Sequence, residues 1–104
     1  MEPIADALAD AATLPSGTEL LVGPGWLLCT KNGACILHDE DDPRVSMTIG
    51  TAFLVNGQRE MLVANPSLLN APAAVRLVRA SSGRTSYQAL EVVDARTREP
   101  IGLE

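Results

Sequence analysis

Residues 18 to 38 read TELLVGPGWLLCTKNGACILH, and this stretch decides the fold class. Glu19–Val22 and Trp26–Thr30 are short apolar runs separated by Gly23-Pro24-Gly25. Short, mainly apolar segments of four or five residues beside Gly and Pro are read as strands, because helices need longer periodic segments. Gly23-Pro24-Gly25 is a kink that starts the second strand. It is not a phosphate loop, since no Lys or Ser/Thr follows at the Walker spacing and no helix opens behind it. Asn32-Gly33 then joins Trp26–Thr30 to Ala34–Leu37, and Asn-Gly tolerates the positive φ of a tight hairpin turn.

Working outward, the same punctuation continues to the end of the chain. A long strand is expected near Val45–Val55, turning at Asn56-Gly57 into a strand over Glu60–Ala64. The Pro-containing segment Asn65–Pro72 leads to Ala74–Ala80 and Thr85–Val93, joined by Ser81-Ser82-Gly83, and a last short strand is expected from Pro100 to Leu103. Runs such as Trp26-Leu27-Leu28 and Phe53-Leu54-Val55 are apolar on successive residues, so both faces of the sheet are expected to be covered. The expected fold is all-β: a small antiparallel six-stranded barrel over residues 17–104, one face filling its interior and the other needing a lid.

Upstream, residues 3 to 14 have helical spacing, within an N-terminal segment of residues 1–16. Pro3 suits a first turn and Asp6 the positive end of the helix dipole. Ile4, Leu8, Ala11 and Ala12 share a face, and Pro15-Ser16-Gly17 stops the helix. Three turns are marginal alone, so the stripe of Ile4, Leu8 and Ala12 is expected to dock on the barrel or on another chain.

The 104 residues suffice for one domain, with 46% apolar residues but a single Trp, a single Tyr and a single Phe. A base-stacking platform needs several rings on one face, and the net charge of −5 repels phosphate backbones and anionic lipid surfaces. Nucleic-acid and membrane partners are therefore not expected. The charge is uneven: residues 1–42 carry eight acids and Lys31 alone among bases, whereas residues 43–104 carry five acids and seven arginines. No stretch approaches the roughly 20 apolar residues of a membrane span. Glu2 and Asp6 stand where a signal peptide would be basic, which points to the cytoplasm.

Cys29 and Cys35 flank the Asn32-Gly33 turn. A two-residue turn sends Cys29 to the opposite face from Cys35, whereas a three-residue loop sets them opposite one another; the default is a buried pair of free thiols. His38 is the only His, and no second pair of soft ligands completes a zinc site. The run Asp39-Glu40-Asp41-Asp42 lacks the alternating spacing of a calcium loop and reads as a solvated turn. No metal or cofactor is expected. Trp26, the largest anchor in the chain, is either a core plug or an interface hot spot, with the core favoured.

Gly50-Thr51-Ala52-Phe53-Leu54-Val55, followed by Met61-Leu62-Val63-Ala64-Asn65-Pro66-Ser67-Leu68-Leu69, resembles the first barrel of trypsin-like serine peptidases. In that family a Gly-Ser/Thr-Gly-Phe strand precedes an apolar-Thr-Ala-Ala-His segment. Tyr87–Asp94 and Glu99-Pro100-Ile101-Gly102-Leu103 look like the strands that lead to the family's aspartate. The resemblance places Ser67 in the slot of the catalytic histidine and Glu99 near that of the aspartate. A Ser there cannot take a proton near neutral pH, and the sequence holds no Gly-Asp-Ser-Gly-Gly-like nucleophile turn. The resemblance thus implies a degenerate half-barrel without catalytic residues.

The expected function is a non-catalytic protein-interaction or assembly module, engaging another protein or a second copy through Ile4, Leu8, Ala12 and Trp26. The alternatives are a structural subunit of a larger assembly, such as a phage or secretion component, and one half of a split serine peptidase.

Overall fold

The computed structural model describes residues 1–29, 35–54, 57–80 and 86–102. Helix α1 (Ile4–Asp10) precedes strands β1 (Glu19–Cys29), β2 (Cys35–Asp39) and β3 (Ser46–Ile49). Helix α2 (Gln58–Ala64) and a 3-10 turn (Pro66–Leu69) lead to β4 (Ala73–Arg79) and β5 (Tyr87–Asp94). The strands form one antiparallel sheet in the order β3-β2-β1-β4-β5.

The two expected strands around Gly23-Pro24-Gly25 are one strand of 11 residues, β1. Its first half, Glu19–Val22, pairs with β4, and its second half, Gly25–Cys29, pairs with β2. The register with β4 shifts between Val22 and Gly25, around the cis Gly23-Pro24 bond. Proline cannot donate to a ladder, so inside a sheet it belongs at such a bulge. Gly25 is required here: a Cβ would run into the carbonyl oxygen of His38 and press on the side chains of Ile4 and Leu37.

Three hairpin-linked strands and a fourth returning beside the first make a Greek key, and β5 extends it by another hairpin. The sheet curls until its two edges touch at one point. Gly50 N donates to Tyr87 O (3.1 Å) and Ala89 N to Gly50 O (2.8 Å), a single parallel bridge rather than a closing ladder.

The structure thus has a five-stranded sheet that is not closed, where a six-stranded barrel was expected. Three differences account for this. The strand expected over Val45–Val55 stops at Ile49, because Gly50 leaves β2 to bond with β5. The strand expected over Glu60–Ala64 is part of α2, whose buried residues Gln58 and Leu62 stand four apart, one helical turn. Pro100 makes only an isolated bridge with Val93. The turn residues Asn32, Gly33, Asn56, Ser81, Ser82 and Gly83 lie outside the described residues, as do Thr30, Ala34, Val55, Thr85 and Leu103 at the ends of expected strands.

Helix α1 is shorter than expected, and it shares one core with the sheet. Ile4 and Ala7 are fully buried beside Val22, Leu37, Ile49, Val75, Leu77 and Tyr87. The Tyr87 hydroxyl donates to the carbonyl of Ala7 (2.6 Å). Arg79 donates through Nε to Ala11 O (2.5 Å) and through Nη1 to Ser86 O (3.0 Å), tying the segment after α1 to the β4–β5 hairpin. Glu2 adds a parallel bridge to Val22, with Glu2 N donating to Leu21 O (2.8 Å). These bonds hold a seven-residue helix that would not persist alone.

Candidate functional site

Alternation along a strand sends successive side chains to opposite faces. In β1–β3 the inward set is Leu27, Leu37, Met47 and Ile49, all buried. The outward set falls into two cross-strand rows: Trp26 opposite His38 opposite Ser46, and Leu28 opposite Ile36 opposite Thr48. Trp26 is 42% exposed and Leu28 56% exposed, with Ile36 half-buried between its neighbours. An indole, a Leu and an Ile therefore form a contiguous apolar surface on the outside of the sheet. Trp26 does not plug the core.

Toward β4 and β5 the same outer face carries a charged cluster. Arg76, opposite Leu21, lies between Glu19 (3.2 Å) and Glu91 (3.9 Å). At the far end, the β2–β3 turn carries the acidic run. Asp39 Oδ1 accepts from the backbone N–H groups of Asp41 (2.8 Å) and Asp42 (3.0 Å). Asp42 accepts from Arg44 Nε (3.0 Å) and Nη2 (3.2 Å), and the side-chain bond to Arg44 holds its carboxyl below the usual range. Glu40 and Asp41 are exposed beside them. The His38 ring contacts Pro43 O through Nδ1 (3.3 Å). Asp39 and Asp42 are thus occupied in shaping the turn, and among the described residues no three His, Cys, Asp or Glu side chains converge on a metal position.

On the reverse of the Leu28–Ile36 pair, Cys29 and Cys35 are directly opposite and joined by a disulfide (S–S 2.19 Å, Cα–Cα 4.2 Å). This overturns the expectation of two free thiols. The register sets the cysteines opposite one another, and the short Cα separation is that of a closely spaced, non-hydrogen-bonded antiparallel pair. A disulfide persists in oxidising spaces and is rare in a reducing cytoplasm, so the bond and the expected compartment pull in opposite directions. No helix among the described residues is long and apolar enough to cross a membrane.

The other expected site residues are scattered. Ile4 points into the core, Leu8 is 44% exposed, and Ala12 lies in the turn beyond α1, so the stripe they were expected to form is divided. Ser67 is exposed in the 3-10 turn, and Glu99 is exposed after β5, where its carbonyl accepts from Asp94 N (2.9 Å). Leu28 and Ile36 were missed as site residues. The available signal was their place, two residues from Trp26 and two from His38 respectively, on the alternate positions of runs taken to be covered on both faces.

No family model, no curated protein and no solved structure matches this chain.

Proposed function

We propose that the chain is a non-catalytic interaction module whose docking surface is the outer face of β1–β3. One observation carries this reading: Trp26, Leu28 and Ile36 gather into one apolar patch on the outer face of the sheet. Exposed aromatic and aliphatic groups gathered in one place mark interaction surfaces, whereas singly scattered ones do not. Fold analogy agrees. The Greek-key order, a helix between β3 and β4, and a parallel touch between β3 and β5 are the arrangement of partly open five-stranded OB-type barrels, which bind ligands on the face of their second and third strands. The net charge of −5 turns that analogy away from oligonucleotides. The peptidase resemblance contributes nothing to this reading, because a half-barrel of six strands is not what the sheet forms.

The test compares Leu28→Asp with Leu8→Asp, each an exposed Leu on a different surface, as tagged baits in native extract. A partner retained by the wild type and by Leu8→Asp but lost by Leu28→Asp supports docking on the sheet. Loss through Leu8→Asp instead transfers the site to α1.

A further inference from the structure

Resting on that reading, we infer that the occupant of the β1–β3 face is a short basic segment of another protein, with apolar side chains over Leu28 and Ile36 and a Lys or Arg beside Trp26. Two observations fix its chemistry. The first is the size of the patch: Trp26 and Leu28, at 42% and 56% exposed, together offer on the order of 200 Å² of side chain. A stable dimer buries about 800 Å² per partner. A second folded copy seated here would leave most of its interface polar, whereas a peptide of a few residues covers the patch completely.

The second is charge complementarity. Trp26 pairs with His38, so the indole lies beside the end of β2 that runs into the turn bearing Glu40 and Asp41, while Asp39 alternates to the other face. Arg44 neutralises Asp42 alone, and Glu40 and Asp41 remain exposed. A cation over the indole face is attracted by the ring quadrupole, and neighbouring carboxylates reinforce that attraction. The same carboxylates repel an acidic segment. The face therefore selects for apolar residues next to bases.

Trp26 is the only tryptophan, so its emission reports binding directly. The probes are three acetylated octapeptides that alternate leucine with lysine, serine or glutamate, titrated at physiological salt. The leucine–lysine peptide is expected to give a saturable blue shift of the emission. The leucine–glutamate peptide is expected to bind at least tenfold more weakly. Leu28→Ser weakens the leucine–lysine peptide about tenfold, Leu8→Ser leaves it unchanged, and Glu40→Gln with Asp41→Asn closes most of the gap between lysine and glutamate peptides. All four substituted positions are exposed, and far-ultraviolet circular dichroism verifies that each variant is folded.

If Leu28→Ser weakens all three peptides and they bind equally well, the basic partner is overturned while the docking face stands. If Leu28→Ser affects none of them, or none binds, the peptide occupant is overturned. Sedimentation equilibrium covers the remaining case: a dimer that shields Trp26 from acrylamide would make the occupant a second copy and overturn the proposal.

Discussion

The side-chain amide of Gln58 pairs with the backbone of Val92 as a neighbouring strand would. Gln58 Nε2 donates to Val92 O (2.8 Å), and Val92 N donates to Gln58 Oε1 (2.9 Å). Gln58 Nε2 also donates to Ile101 O (2.8 Å), so the amide, fully buried, joins α2, β5 and the segment after it. With Gly50 at Tyr87 and Ala89, it covers much of the outer edge of β5 and so satisfies backbone groups that an edge strand otherwise exposes.

Gln58→Leu keeps the volume but strands the Val92 N–H in an apolar setting and takes a donor from Ile101 O, whereas Val92 O keeps the N–H of Ile101 (3.0 Å). Each orphaned buried group costs about 1–3 kcal/mol. Urea unfolding should show a loss of about 3 kcal/mol for Gln58→Leu, with an unchanged loss-free baseline for an exposed control such as Met61→Gln. A Gln58→Leu protein as stable as the wild type would mean that the amide is replaceable and the edge is closed by other means.

Tyr87→Phe removes only the hydroxyl that donates to Ala7 O. The expected loss is about 1 kcal/mol by thermal or urea unfolding, the ordinary worth of one buried hydrogen bond. Burial pushes the Tyr87 phenol above its usual range. A raised value in the folded state favours the native protein below the ordinary tyrosine range, and that contribution fades as pH rises through the raised value. Absorbance titration of the phenolate should show ionisation delayed in the native protein and normal in urea.

The Cys29–Cys35 disulfide closes a loop with a sequence separation of 6. In the chain-entropy account, a loop this short contributes about 2 kcal/mol. A Cys29→Ala, Cys35→Ala double variant should lose that amount in urea unfolding, and the wild type should lose the same on reduction. Intact-mass measurement after alkylation checks the premise: purified protein that takes up two alkyl groups without reductant would show free thiols and remove this prediction.

Asp94 Oδ1 accepts from Arg96 N (2.8 Å) and Thr97 N (3.1 Å), and these N–H donors, Arg96 first, lower its pKa. A depressed carboxylate pKa means stability that is present above the ordinary aspartate range and lost as pH falls through the folded-state value. Asp94→Asn keeps an acceptor oxygen but cannot titrate. The stability difference between wild type and Asp94→Asn should favour the wild type at neutral pH and shrink below about pH 4. A difference that stays constant from pH 7 to pH 2 would show that the carboxylate charge contributes nothing.

The amino-acid sequence by itself determined which segments extend. Apolar runs between Gly, Pro and Asn located most of β1, β2, β4 and β5, because these signals are local: chain geometry at a turn and alternation along a strand need no distant partner. The Gly23-Pro24-Gly25 kink was legible for the same reason, although it bends one strand rather than separating two. Only the tertiary structure decided the rest. Residues 58–64 became helical because Gln58, a polar residue that looks exposed in sequence, finds its amide partners 34 and 43 residues away. The strand after Val45 ended at Ile49 because Gly50 bonds across to Tyr87 and Ala89. The docking face depends on register as well. Trp26, Leu28 and Ile36 share one surface only because β1 and β2 pair with Cys29 opposite Cys35, and a one-residue slip of β2 would turn Ile36 inward.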